Sequence, residues 1–180
     1  MRPRRRMFLW VTPVVLTACG VPIQSGAHFE TGWEPGTLTT FAWNDEADRT
    51  EGDPRLQDNA FFHAQLHEVV EWELNLRGIR YSDSNPALLI HHHLSLADHV
   101  MEREVVDEAG VTSVETFAYE GGSVVIHIVD ARTSEDVWVA WAQANIEPAL
   151  TSPGAMRSWV YNLVGEMFED WPVPSRAATP

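Results

Sequence analysis

Histidine is the residue type whose number and spacing could support chemistry in this chain, which has eight of them among 180 residues. Three are consecutive, at positions 91 to 93, in an apolar run that predicts a β-strand. Side chains alternate between the two faces of a strand, so His91 and His93 are expected on one face and His92 on the other, towards the core. His99 falls on the face of His91 and His93. His127, from another strand, could join either face.

A second pair, His63 and His67, is spaced four residues apart in a predicted helix. Two imidazoles at this spacing can share one metal ion, and neutral imidazole suits zinc, copper or nickel. The segment lacks the glutamate that follows the first histidine of a metalloprotease helix. Solvated or packed histidines are the simpler interpretation, so no cofactor is predicted. The alternative is a zinc, copper or nickel site built from some of His91, His93, His127, His99, His63 and His67.

The usual catalytic patterns are missing from the sequence. It contains no Gly-x-Ser-x-Gly motif, and Gly121-Gly122-Ser123 precedes a predicted strand instead of linking a strand to a helix. It contains neither a phosphate-binding loop nor a dinucleotide glycine pattern. Glu102 and Glu104 are interpreted as a solvated strand face. No catalytic residue is predicted, and the protein is not expected to be an enzyme.

The only cysteine, Cys19, follows Leu16-Thr17-Ala18 and completes a bacterial lipobox. Four arginines and an apolar stretch of about ten residues precede it, too short for a membrane span of roughly 20. We therefore expect residues 1–18 to be a lipoprotein signal peptide and Cys19 to be acylated. A soluble signal peptide, or a short membrane helix with an incidental cysteine, is the alternative. The leader also resembles a twin-arginine export signal, although a general secretory leader is favoured.

Charge and compartment follow from this leader. It holds four of the 12 basic residues and none of the 26 acidic ones, so eight basic residues remain and the formal charge after residue 18 is −18. Such a charge argues against nucleic acid as a partner and against binding along an anionic bilayer. Gly20 stands where aspartate would retain a lipoprotein at the inner membrane. The expected location is therefore the outer membrane, facing the periplasm, with the lipid as the membrane contact.

The remaining length predicts one domain. Residues 19–27 are expected to be a tether of at most about 30 Å, residues 28–172 the domain, and residues 173–180 a flexible tail. Helices are predicted from Asp53-Pro54 to Gly78 and from Pro153 to Trp171. Strands are predicted at Leu38–Trp43, Leu88–Leu96, Val100–Val106, Thr112–Tyr119, Ser123–Asp130 and Asp136–Ile146.

These elements favour an α+β two-layer sandwich in the order β-α-β-β-β-β-α. The sheet is expected to be mainly antiparallel, with about five strands and both helices on one face.

Several of these segments resemble the bacterial lipoprotein family called domain of unknown function 4136. The matching segments are Thr40–Trp43, Leu74–Gly78, Leu88–Leu94, Tyr119–Ala131, Val137–Ala142 and the closing helix into Trp171-Pro172. His127 stands where the family often has an acidic residue, and Val139 where it often has a basic one. The resemblance implies a fold and an envelope location. It implies no activity and no catalytic residues.

The function that follows is a non-catalytic interaction or scaffold module, tethered by lipid and contacting an envelope protein through an open sheet face, an edge strand or a groove. Two alternatives stay open. One is a histidine-rich periplasmic metal-binding lipoprotein. The other is a small-ligand binder with a tryptophan-lined pocket between the sheet and the helices.

Overall fold

The computed structural model describes residues 22–33, 37–44, 49–50, 54–106 and 109–171. The predictions for the leader 1–18, for Cys19 and for the tail 173–180 lie outside the described residues. None of the described helices is both long and apolar enough to cross a membrane.

The strands form one mixed sheet of seven members, in the order β1-β7-β6-β5-β2-β4, with β3 also paired to β5. The pairs β1–β7, β7–β6 and β6–β5 are antiparallel. The pairs β2–β4, β2–β5 and β3–β5 are parallel. The bounds are β1 Gln24–Phe29, β2 Thr40–Trp43, β3 Arg49–Thr50, β4 Arg80–Tyr81, β5 Leu88–Val106, β6 Thr112–Asp130 and β7 Asp136–Asn145.

The prediction of about five mainly antiparallel strands is therefore corrected in both number and direction. Three strands went unpredicted: β1 is polar and glycine-containing, and β3 and β4 have two residues each. A two-residue strand is too short to show an alternating pattern of apolar and polar residues. Its pairing is decided by the neighbouring strands. Residues 24–27, expected to belong to the tether, pair with β7 and belong to the sheet.

The predicted strands Leu88–Leu96 and Val100–Val106 form one continuous strand of 19 residues, β5. The predicted strands Thr112–Tyr119 and Ser123–Asp130 likewise form one strand of 19 residues, β6. The predicted break in β6 was Gly121-Gly122, but both glycines lie within the strand. A Cβ atom at Gly121 would lie 2.4 Å from His99 Cδ2, and one at Gly122 would lie 2.9 Å from Ile146 Cδ1. The glycines thus allow close packing and do not mark a turn.

The first predicted helix is divided into α1, Pro54–Gln57, and α2, Ala60–Leu76. Asn59 caps α2, accepting a hydrogen bond from Phe62 N over 3.0 Å. Gly78 ends the segment with a φ of 83°, as predicted. After a 3-10 turn at Ala149–Thr151, Ser152 caps α3, Pro153–Glu169.

The core lies between the sheet and α2 and α3, and both helices pack on the same face of the sheet. Alternating residues of the central strands meet the apolar stripes of the helices, and Leu88, Ile90, Ile126 and Trp138 are fully buried against Phe62, Leu66, Leu163 and Phe168. The α+β class and the single helical layer are confirmed. The predicted order β-α-β-β-β-β-α omits the short strands and the division of the first helix.

Candidate functional site: the open sheet face and the β-arm

The sheet face opposite α2 and α3, called the open face here, carries most of the candidate residues. Apart from buried Tyr119, its side chains are half-buried or exposed, and Trp141 is 42% exposed. Strand register places on it His91, His93, Ser95, His99, Ser123, Val125, His127, Val139, Trp141 and Gln143. Ser123, which follows the two glycines, donates a hydrogen bond to Gln143 Oε1 over 3.3 Å.

Three histidines of the open face converge. His91 and His127 are directly opposite each other on β5 and β6, and His93 is two residues further along β5. The rings of His91 and His127 stack with their centroids 4.6 Å apart, and the His93 ring lies 5.3 Å from that of His127. One ring nitrogen from each residue lies within 4.8 Å of the others. The sequence left open which face His127 would join, and the structure places it on the face of His91 and His93.

Asp136 adds a carboxylate to this cluster. Its Oδ1 atom lies 3.1 Å from His127 Nδ1. The contact crosses the β6–β7 hairpin, where a register shift between Ile128 and Val129 places Asp136 opposite Val129. No pattern in the sequence indicates this contact, because a strand irregularity sets the distance between the two residues.

His99 does not belong to the cluster, which corrects its inclusion among the metal candidates. It lies six residues beyond His93 on β5, about 20 Å along the strand. Its Nε2 atom is 2.9 Å from Gln143 Nε2, and its ring stacks on Tyr119. The alternation of side chains was predicted correctly, but distance along the strand separates His99 from the others.

His63 and His67 face the opposite side of the sheet, so the structure does not bring them near His91 and His93. His63 Nδ1 lies 3.1 Å from Nε2 of His92, which is buried. The His67 ring stacks on Trp43 at a centroid distance of 3.7 Å, and the Trp43 Nε1–H donates to Glu71 Oε1 over 2.9 Å. The expected core orientation of His92 is confirmed, and it forms a polar cluster between α2 and the sheet that the sequence did not suggest.

The tryptophans do not share the predicted pocket. Trp138 is fully buried in the core, whereas Trp72 is 45% exposed on α2 and Trp141 lies on the open face. The described part of the chain includes at least two surface grooves. One, of about 540 Å³, lies beside α3 around Arg77 and Tyr161, and the other, of about 320 Å³, lies beside Phe61 and Leu150. Neither groove is lined by tryptophan.

The outer ends of β5 and β6 form a two-stranded ribbon, which we call the β-arm. It comprises seven residue pairs, from Val100 opposite Ala118 to Val106 opposite Thr112. Among the described residues no third strand pairs with it, since β7 reaches only Gly121 of β6 and β2 and β3 reach only Leu94 of β5.

The two faces of the β-arm differ. One continues the open face and packs upon itself, where half-buried Met101 and Phe117 lie opposite each other and Phe117 contacts the Tyr119 ring. The other, called the valine face here, is exposed, with Val100 at 71%, Val106 at 63% and Val114 at 62%. Glu102 and Glu104 lie between these valines and are also exposed. The sequence predicted these strands but not their projection from the sheet.

Comparison with solved structures shows the same fold elsewhere. A PDZ domain protein from Parabacteroides distasonis has a TM-score of 0.54 and 15% identity, covering 87% of this chain and 38% of that one. This chain therefore spans well under half the length of that protein. Looser likenesses are to PelC of Paraburkholderia phytofirmans, crystallised as a dodecamer (TM-score 0.46, 9% identity, 81% of this chain and 94% of that one). A further loose likeness is to a neuraminyllactose-binding hemagglutinin homolog from Helicobacter pylori, with a TM-score of 0.45 and 11% identity, covering 81% of this chain and 90% of that one.

Family membership rests on sequence. No functionally curated protein matches the chain. The profile of the family described as Domain of unknown function (DUF4136) matches residues 28–173. This range includes all three helices and the whole sheet, except for the first four residues of β1. The chain therefore belongs to the domain of unknown function 4136 family.

Proposed function

We propose that this protein is a lipid-anchored envelope lipoprotein, that it acts as a periplasm-facing interaction module without catalysis, and that its β-arm contacts a protein partner. The observation that carries the proposal is the exposed valine face of the arm. The lipobox at Cys19 and the formal charge of −18 after residue 18 support the envelope location.

The β-arm has little to stabilise it beyond the pairing of its own two strands. A two-stranded ribbon without further packing is marginally stable in water. Here one face packs upon itself, while the valine face leaves three large apolar side chains in solvent. Covering them would remove apolar surface from water and hold the ribbon in place, and each fully covered valine would contribute about 1.5 kcal/mol or more.

The charge of the arm indicates the chemistry of the partner. Exposed Glu102 and Glu104 lie between Val100 and Val106 on the same face of β5, and Glu115 is exposed on the reverse side. Carboxylates oppose insertion into an anionic membrane surface, so a protein is favoured over lipid. The partner surface that fits best combines an apolar patch with nearby arginine or lysine side chains. Its backbone could also pair with one of the outer strand edges of the arm.

Photocrosslinking in intact cells tests this proposal. A photoreactive residue is placed at Val114, on the valine face, and separately at Ser113, one position along β6 on the reverse face. Thr133, in the exposed turn between β6 and β7, serves as a distant control. We expect one discrete adduct from Val114, with much lower yields from Ser113 and Thr133, since neighbouring strand residues point to opposite faces.

A charge reversal, Glu104→Arg, is expected to weaken the Val114 adduct several-fold if the partner surface is basic. Equal yields at Val114 and Ser113, or no adduct from the arm in cells where the protein is folded and exported, would contradict the proposal.

A further inference from the structure

The histidine cluster of the open face has the donor set and geometry of a metal site. His91, His93 and His127 each offer one ring nitrogen within 4.8 Å of the others. Among the described residues, no other group of three metal-binding side chains converges in this way. We propose that these three histidines bind one divalent transition-metal ion of the Zn²⁺ class, with a fourth coordination position towards solvent. The site is separate from the β-arm, and neither proposal depends on the other.

The backbone beneath the cluster is well constrained. β5 and β6 are central strands, paired with each other and with further strands on their outer sides at this level. The positions of the three Cα atoms are therefore fixed by ladders of hydrogen bonds, and only ring orientation needs to change on binding. Such preorganisation lowers the entropy lost when a ligand is bound.

The required change is small. Tetrahedral zinc holds each nitrogen at about 2.0–2.1 Å, which places ligand nitrogens roughly 3.3 Å apart. The rings of His91 and His127 are stacked and nearly parallel, with an interplanar angle of 7°. They must turn out of the stack to direct their lone pairs at one point. The χ2 torsion of histidine has a broad energy profile, so this rotation costs little.

The Asp136 carboxylate prepares His127 for this role. The contact of 3.1 Å between Asp136 Oδ1 and His127 Nδ1 favours the tautomer in which Nδ1–H donates and Nε2 keeps its lone pair. A carboxylate behind a ligating histidine orients the ring and raises its basicity. The acidic character of the chain, with a net charge of −14, also favours a cation over an anion at this surface.

The helix-side histidines are less suitable. Nδ1 of His63 and Nε2 of His92 lie 3.1 Å apart and contact each other directly. His92 is buried, so a metal there would displace packed core side chains. The open-face cluster needs only ring rotation.

Metal titration of the full chain tests the proposal. The protein is prepared without a polyhistidine tag and with Cys19→Ser, which removes its only thiol. Zn²⁺ affinity is measured by competition with a chromogenic chelator, and Co²⁺ is used as a spectroscopic probe. We expect one ion per chain and a visible Co²⁺ absorption typical of tetrahedral nitrogen coordination.

Variants locate the site. Zn²⁺ affinity should fall by at least about 100-fold in each of the ligand variants His91→Gln, His93→Gln and His127→Gln. It should fall by about tenfold in Asp136→Asn, because the loss of a ligand costs more than the loss of its carboxylate partner. His99→Gln and His28→Gln are matched controls: His99 lies on the same face of β5, and His28 lies two strands from His127 in the same row. Both should bind Zn²⁺ like the parent chain.

Imidazole nitrogen NMR of the parent chain gives an independent measurement that needs no substitution at the site. Zn²⁺ should shift the signals of three histidines, and the shifts should not involve His63 or His92. The proposal is overturned by equal loss of affinity in the control variants, by shifts confined to other histidines, or by parent affinity no higher than that of the His127→Gln chain.

Discussion

Two adjacent glycines in β6 show how closely single atoms determine the packing of this sheet. The missing side chain of Gly121 makes room for the His99 ring, and that of Gly122 makes room for Ile146 and Trp159. The Trp159 ring cannot easily yield, because its Nε1–H donates to the Asn145 carbonyl over 2.9 Å. Neither glycine has a positive φ, so packing, not backbone conformation, requires them.

Gly122→Ala is therefore expected to destabilise the protein. The new Cβ atom would lie 2.9 Å from Ile146 Cδ1 and 3.0 Å from Trp159 Cζ2. Overpacking of this kind costs about 1–3 kcal/mol in the free energy of unfolding. Urea unfolding monitored by circular dichroism measures the change.

Gly165→Ala is the matched control, since Gly165 lies within α3 and a Cβ atom there has nothing within 4 Å. Alanine should stabilise that helix by about 0.5–1 kcal/mol. Destabilisation by Gly165→Ala, or a neutral effect of Gly122→Ala, would contradict the role assigned to packing.

At the residue scale, the sequence predicted which faces the strand histidines occupy, because alternation is a local property. It did not predict the contact of Asp136 with His127, nor that of His63 with His92. The first depends on a register shift in a hairpin, and the second on how α2 lies across the sheet. Both are tertiary properties without a periodic pattern in the sequence.

Between elements, the end of α2 is joined to the end of α3 through Arg77. Its guanidinium donates to the Phe168 carbonyl over 2.8 Å and to the Glu73 carbonyl over 2.9 Å, and it pairs with the Glu73 carboxylate. The same group lies 4.9 Å from the centre of the Phe168 ring. One side chain thus donates to carbonyls at two helix ends, and at Phe168 it adds to the hydrogen bond that the carbonyl accepts from Trp171 N.

Arg77→Ala should lower the free energy of unfolding by about 2 kcal/mol, because it removes charge-assisted hydrogen bonds and leaves the mostly buried Glu73 carboxylate without its partner. Arg80→Ala is the control, since exposed Arg80 donates to Asn75 Oδ1 at the surface. Its effect should stay within about 0.5 kcal/mol. Thermal and urea unfolding distinguish the two, and similar effects would refute the special role of Arg77.

Among the elements, those with a strong period were predictable. The apolar stripes of α2 and α3 and the alternation of β5 to β7 appear in the sequence, and α2 and α3 are capped by Asn59 and Ser152. The short parallel strands β2 to β4 depend on β5 for their pairing, so only the four-residue β2 was indicated. The strands of the β-arm were predicted as separate from the rest of β5 and β6, and in β6 the predicted break falls at two glycines, which ordinarily signal one.

For the whole molecule, the proposed anchor gives a direct prediction. Cys19→Ser removes the proposed acylation site, and an anchored protein should then shift from the membrane fraction to the soluble fraction, since diacyl attachment makes binding stable. Fractionation with metabolic fatty-acid labelling measures the change. Ser25→Ala, which keeps the cysteine, should remain labelled and membrane-bound. Retention of the Cys19→Ser chain in the membrane fraction would refute lipid anchoring.

The position of β1 has a consequence for how such an anchored domain would lie. Gln24 begins β1 in the same row as Gln143, Ser123 and Ser95, at the end of the sheet from which the β-arm projects. The five residues from Cys19 to Gln24 reach at most about 18 Å.

From Ser95 to the tip at Val106, β5 extends about 37 Å. A domain standing upright on its lipid would drive this acidic arm into the bilayer. If Cys19 carries the proposed lipid, we therefore expect the domain to tilt so that the acidic arm stays outside the bilayer, near enough to the membrane to meet partners embedded in it.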